Sequence, residues 1–285
     1  MTPDELLAAL SERYPYTLTD GGPCPGGEVG ARYANGPDGR AYVYKWIDGP
    51  ADMVWATALI DRITRLRSNG YPAPRYLEPF DLGTALVLVQ ESVAGSWSDA
   101  VDHELVRRML SVNDRQAGLG QSGSEWSDYI AMTLTEGANG YCLHRSLREQ
   151  GGEVADILGW VQAVGRAIGP LPQADLVHLD FHHRNLLRTA DGGLTVVDME
   201  GCQPGDRAFD LVTFCFGMSH AEAPVGVEEP LWLRAIELTS SENVRAYVAH
   251  MALRLLDWTI RLHPAPELHR LLPVVRRFID RVQDS

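Results

Sequence analysis

The chain has 285 residues, with 25 Lys and Arg against 38 Asp and Glu, a formal net charge of −13. At about 150 residues per domain, this length gives two domains or one domain with two lobes. A content of 45% hydrophobic and 22% charged residues is ordinary for a chain that builds a core. The acidic balance argues against a binder of phosphate backbones, which needs a basic surface, and favours a cationic small partner or simply a well-solvated surface. The clean apolar runs are about as short as Ala85 to Val89, far below the roughly 20 residues of a membrane span. Behind the acidic opening Met1-Thr2-Pro3-Asp4-Glu5 there is no long apolar segment, so no signal peptide and a cytoplasmic location are expected. The four cysteines form no Cys-x-x-Cys pair, which points to reduced thiols rather than a disulfide framework or a zinc site.

In chain order, the first element is a helix. Thr2 can cap it, Pro3 fits its first turn, and Leu6, Leu7 and Leu10 share a face. Strands are predicted at Tyr16 to Thr19, Val29 to Tyr33 and Arg40 to Trp46, separated by the Gly/Pro cluster 21–27 and the turn 35–39. A helix follows from Pro50 to Ser68, stopped by Asn69-Gly70. Two short strands around Gly83 fill Leu82 to Glu91. From Ala94-Gly95 to about Gly169 the pattern is helical, with loops at 121–124 and 151–152. Short strands return at Val177 to Asp180, Leu186 to Arg188 and Leu194 to Asp198, the last two joined by Asp191-Gly192-Gly193. The remainder is helical. The expected architecture is α+β and bilobal: a small β-rich N-terminal lobe with one helix (residues 1–92), a linker near 91–95, and a larger, mostly helical lobe (93–285) containing a β hairpin.

The chemistry-bearing stretch runs from His178 to Leu211. It reads His178-Leu179-Asp180-Phe181-His182-His183-Arg184-Asn185, then Asp198-Met199-Glu200, then Gly205-Asp206-Arg207-Ala208-Phe209-Asp210-Leu211. Phosphoryl transfer needs a carboxylate to orient an acceptor hydroxyl and take its proton, and hard oxygen ligands to hold Mg2+ on the phosphates. Asp180, in a loop between strands, suits the first role. Asn185 can return an amide oxygen to a metal, and Asp198 at a strand end brings a carboxylate. Glu200, two residues on, would point to the same side of an extended chain. His182 and His183 are adjacent, and adjacent side chains rarely face one way, which argues against a zinc cluster. Lys45, ending the strand Tyr42-Val43-Tyr44, is the only lysine in the chain, and a compact charge there suits phosphate contact. Gly26 and Gly27 sit in a turn where backbone N–H groups can approach phosphates. No Walker-type signature is present.

The order and spacing of these pieces resemble the aminoglycoside phosphotransferase and choline kinase family, whose members share a bilobal fold with protein kinases. The resemblance implies that Asp180 is the catalytic-loop base, that Asn185 and Asp198 are Mg2+ ligands, and that Glu200 is a further metal-side or substrate-side carboxylate. It makes Asp210 a structural acid holding the catalytic loop through backbone amides. It implies that Lys45, Gly26, Gly27 and the linker around Glu91 and Val93 bind the nucleotide, ATP or GTP. One departure stands out. The helix from Pro50 to Ser68 contains no Glu to pair with Lys45; its acids are Asp52 and Asp61, and Leu59 lies near the aligned position. The implied activity is transfer of a γ-phosphoryl group to a hydroxyl of a small, cationic acceptor, an aminoglycoside or basic cyclic peptide antibiotic. A metabolic alcohol of the choline, homoserine or sugar type, and a nucleotide-binding pseudoenzyme, are the alternatives. The partners implied are thus a nucleoside triphosphate and a small molecule, with no nucleic acid and no membrane. Segments 113–118 and 256–261, the latter with Asp257 and Trp258, are candidate walls of the acceptor site.

Overall fold

The computed structural model describes residues 2–25, 30–97 and 100–283. In chain order its elements are α1 (Pro3–Arg13), β1 (Thr19–Pro23), β2 (Arg32–Asn35), β3 (Ala41–Asp48), α2 (Met53–Ser68), β4 (Phe80–Asp81) and β5 (Ala85–Glu91). There follow α3 (His103–Asp114), α4 (Glu125–Thr135), α5 (His144–Gln150), α6 (Gly152–Ala167), β6 (Asp175–Val177), β7 (Leu186–Arg188), β8 (Leu194–Val196) and β9 (Gln203–Gly205). The chain ends in α7 (Ala208–Gly217), α8 (Glu229–Leu238), α9 (Ser241–Leu262) and α10 (Ala265–Gln283). Two compact units result: Met1–Trp97 with Leu186–Cys202, and Ser98–Asn185 with Gln203–Ser285.

The first unit is built on an antiparallel sheet of order β1-β2-β3-β5-β4. Alternation along β3 turns Tyr42 and Tyr44 into a core with Phe80, Val87 and Val89, and leaves Lys45 on the other face. Helix α1 closes that core with Leu6, Leu7 and Leu10, the apolar face its sequence predicts. Thr2 and Glu5 form a reciprocal capping box at its start. Helix α2 begins at Met53 rather than Pro50 because the Asp52 carboxylate caps it, accepting from the Trp55 N–H at 2.9 Å. Strand β1 starts three residues later than predicted. Tyr16 instead lays its ring edge-on to Phe80 at 5.3 Å.

The hairpin β7–β8 clusters with this first unit, whereas the sequence reading places it inside the second lobe. Backbone bonds make the connection: Val196 N–H donates to Pro72 O at 2.7 Å, and Ser96 and Arg188 exchange N–H···O bonds of 3.0 and 2.9 Å. Gly95 permits the approach, since a Cβ there would lie 2.9 Å from Leu187 Cβ.

The second unit is mainly helical. Its core holds Trp126, Phe209, Phe214, Phe216, Trp232, Tyr247 and Phe278, all nearly inaccessible, and α7 is buried along almost its whole length. The short pair β6–β9 matches Val177 with Gln203. That pairing fixes where the loop after Val177 starts. The expected strand Val177 to Asp180 therefore stops at Val177, and the residues beyond it leave the ladder.

Candidate active site

The loop 178–185 is held open by backbone bonds that no local sequence rule supplies. Asp210, fully buried on α7, accepts from the N–H of His178 at 2.7 Å and of Leu179 at 3.0 Å, and from Gln116 Nε2 at 2.6 Å. Burial pushes its pKa up to about 7, against these donors. Leu179 takes a left-handed φ of 69°, a conformation that costs a non-glycine residue about 1–3 kcal/mol and persists only where neighbours impose it. The next peptide N–H, of Asp180, donates to His178 Nδ1 at 3.2 Å, which orients the buried His178 ring. On the far side of the loop, His182 packs against Gly217, where a Cβ would come within 2.6 Å of His182 Cβ.

Three groups converge on the Asp180 carboxylate. Arg254, from α9, donates to Oδ1 at 2.6 Å and with its other nitrogen to Leu179 O at 2.7 Å. Asn185 Nδ2 donates to Oδ2 at 3.1 Å and to Asp180 O at 2.8 Å, and His182 Nε2 lies 3.3 Å from Oδ2. Burial works to raise the pKa of Asp180, but the Arg254 charge and the His182 contact outweigh it and hold the carboxyl well below its ordinary range. The carboxylate is therefore ionised at neutral pH and fixed in direction. Because Asn185 spends its amide nitrogen on Asp180, its Oδ1 is the atom left to serve a hard cation. Arg254 escaped the sequence reading: it sits 74 residues from Asp180 in an ordinary helical pattern, with no motif around it.

In the first unit, Lys45 Nζ donates to Asp198 Oδ1 and, at 3.0 Å, to Glu200 Oε2. Tyr76 donates its hydroxyl to Glu200 Oε1 at 3.2 Å. Burial alone would lower the Lys45 pKa, but the charges of Glu200 and Asp198 prevail and raise it. Asp198 has a left-handed φ of 65°, and residues 199–201 form a single 3₁₀ turn rather than the extended segment predicted. The two carboxylates thus share a side through the turn, not through strand alternation.

The other predicted residues fare differently. Gly26 and Gly27 lie outside the described residues. Glu91 ends β5, its N–H donating to Arg75 O at 2.8 Å and its carboxylate paired with Arg75 at 3.0 Å; Val93 lies just past that strand. Asp257 is fully buried, accepting from Ser146 at 2.6 Å and from both ends of the Arg261 fork at 2.8 and 2.9 Å. Its oxygens are engaged in tying α9 to α5. Trp258, its neighbour, is half-buried with His263 beside its ring. Segment 113–118 is likewise a brace rather than a wall: Asn113 bonds Gln116 at 2.7 Å and Arg207 O at 3.0 Å, and Gln116 carries the chain of contacts on to Asp210.

A mixed α+β fold with a clamped Asp-to-Asn loop and a strand lysine on an Asp-x-Glu turn defines a small-molecule kinase on the protein-kinase-like plan. Residues 23–247 match the phosphotransferase enzyme family (APH), and the chain belongs to that family. No curated protein sequence matches it. Among solved structures it is similar in fold to an aminoglycoside phosphotransferase from Alicyclobacillus acidocaldarius subsp. acidocaldarius DSM 446, at 14% identity, 90% and 91% coverage of the two chains and a TM-score of 0.52. It is similar also to the amicoumacin kinase hAmiN bound to AMP-PNP, Ca2+ and Ami (13%, 94% and 88%, TM-score 0.62). A putative fructosamine-3-kinase from Thermobifida fusca YX-ER1 gives 17%, 98% and 100%, and 0.61.

Proposed function

We propose that this chain transfers the γ-phosphoryl group of ATP or GTP to a hydroxyl of a small, cationic molecule, an aminoglycoside or basic cyclic peptide antibiotic first and a metabolic alcohol second. The observation that carries the reading is the state of Asp180: ionised, aimed by Arg254 and Asn185, and set on a loop that Asp210 holds in a strained form. The acceptor hydroxyl donates to this carboxylate. As its oxygen bonds to the γ-phosphorus, the bond to the bridging oxygen breaks and the nucleoside diphosphate leaves. The hydroxyl proton passes to Asp180. A carboxylate with so low a pKa is a weak base, which suits a loose transition state where orientation precedes proton loss.

Lys45 supplies a point charge to the nucleotide phosphates, and the chain around Glu91 and Val93 receives the base. The donor set fits a hard divalent cation. Asp198 offers a half-exposed carboxylate, and Asn185 the amide oxygen left by its bonds to Asp180. Mg2+ bound by such oxygen donors would neutralise charge on the transferred group. The net charge of −13 supports a cationic acceptor by steering. The test is purified protein with Mg2+ and ATP or GTP, screened by mass spectrometry against cationic antibiotics and small alcohols. A product heavier by one phosphoryl group, lost in Asp180→Ala with nucleotide binding retained, is expected. Turnover near the wild-type rate in Asp180→Ala would remove Asp180 from the role of base. Nucleotide binding without a product from any acceptor would favour a pseudoenzyme.

A further inference from the structure

We propose that Glu200 is the positioning partner of Lys45, in place of the helix glutamate that kinase-like folds use, and that Tyr76 holds Glu200 in that place. The proposal rests on the reading of this chain as a nucleotide-dependent kinase. Helix α2 has no glutamate; Leu59 is fully buried, and Asp61 is exposed. Lys45 instead meets Glu200 Oε2 at 3.0 Å, while the other oxygen of that carboxylate accepts from Tyr76 at 3.2 Å.

Both ends of this tie rest on one sheet. Lys45 is on β3, which pairs with β5 through the register Lys45↔Leu88. Tyr76 bridges to Gln90 of β5, and its neighbours bond the same strand, Leu77 N–H to Val89 O and Glu91 N–H to Arg75 O, each at 2.8 Å. Tyr76 itself is only 8% exposed. A lysine has a long stem with much rotamer freedom, so a carboxylate fixed at a set distance reduces what is lost when phosphates bind. Asp198 also touches Lys45, but it is the carboxylate assigned to the divalent cation. An oxygen shared with such a cation holds an ammonium less well. Glu200, tied to Tyr76 as well, is the one that keeps the lysine in line. The Asp-x-Glu pair thus divides its work, with one carboxylate for the cation and one for the lysine.

Because Lys45 is the only lysine, protein grown with 13C-lysine reports a single Cε methylene whose two protons resolve when the side chain is fixed and average when it swings. In Asp198→Asn the two signals should stay resolved, since Glu200 alone suffices. In the double variant Asp198→Asn/Glu200→Gln they should merge. Glu200→Gln by itself should weaken Mg2+-nucleotide binding roughly 10- to 100-fold, by analogy with the loss of an outer-shell partner that orients a metal ligand. Tyr76→Phe should weaken it less, and Asp61→Asn not at all. The assignment falls if Asp198→Asn alone merges the signals, if the double variant keeps them resolved, if Glu200→Gln binds nucleotide like wild type, or if Asp61→Asn reproduces its loss. The lysine signal needs no acceptor and no turnover. A failure to find any phosphorylated product therefore counts against the kinase reading and not against this pairing.

Discussion

Replacing Asp210 by Asn tests the clamp on the catalytic loop. The carboxylate accepts three bonds, from His178 N–H and Gln116 on one oxygen and from Leu179 N–H on the other, at 2.7, 2.6 and 3.0 Å. Asn keeps one oxygen and puts an NH2 in the second place. Turned one way, that NH2 faces the His178 N–H; turned the other way, it faces the Leu179 N–H. In the first orientation the His178 N–H and Gln116 both lose an acceptor and in the second only the Leu179 N–H does; even the better orientation leaves one buried donor unpaired, at a cost of about 1–3 kcal/mol, and the surviving bonds lose their charge assistance, about 1 kcal/mol more. The net destabilisation expected is about 2–4 kcal/mol, below the 5–15 kcal/mol that typically holds a domain together, so the variant folds. Function should drop further than stability alone accounts for. Without its clamp Leu179 can leave φ 69°, and release of about 1–3 kcal/mol of strain depopulates the working position of Asp180 by roughly 5- to 150-fold in kcat. Urea unfolding followed by circular dichroism, beside turnover measured well below the unfolding midpoint, reads both numbers. A loss under 1 kcal/mol with unchanged kcat would refute the clamp.

Arg254→Met should lower kcat roughly 10- to 100-fold with a smaller change in nucleotide KM, and the acid limb of the rate profile should move up toward the ordinary carboxylate range as Asp180 loses its guanidinium; a pH–rate series decides it, and an unmoved limb counts against the pairing. His250, buried and 3.0 Å from the Tyr129 hydroxyl, is held down to about 3 by burial and by Arg254. Its unfolded form binds a proton below about 6.5 and its folded form does not, so its contribution to stability is lost as pH falls from about 6.5 toward 3, by at most about 5 kcal/mol. His250→Gln should flatten urea stability against pH between about 4.5 and 6.5 relative to wild type; parallel curves would show that His250 is not the group responsible. Phe80→Ala empties the centre of the first unit, where Tyr14 and Tyr16 meet the ring edge-on at 4.8 and 5.3 Å, and should cost about 3–5 kcal/mol by thermal or urea unfolding. A cost below 1 kcal/mol would mean that the surrounding rings close over the gap.

Much of this protein was legible one residue after another. The capping of α1 by Thr2, the amphipathic α2, the hairpin at Asp191-Gly192 and the order Asp180, Asn185, Asp198 and Asp210 follow from local propensity and spacing, because each depends on atoms a few residues apart. What folding alone decided are the pairings between distant segments. Arg254 reaches Asp180 from 74 residues away, Gln116 reaches Asp210 from 94, and Lys45 reaches Glu200 from 155. A side chain's partner across such a span is set by how strands register and helices pack, and neither leaves a periodic trace in the chain. The partners of the predicted wall residues are likewise visible only in the fold: Asp257 accepts from Ser146 and Arg261, and Asn113 and Gln116 bond each other and reach Asp210. The absence of a glutamate from α2 was visible in the sequence; that Glu200, in the turn after Asp198, meets Lys45 was decided by the tertiary fold, which bonded both the Lys45 strand and the backbone at Tyr76 to β5.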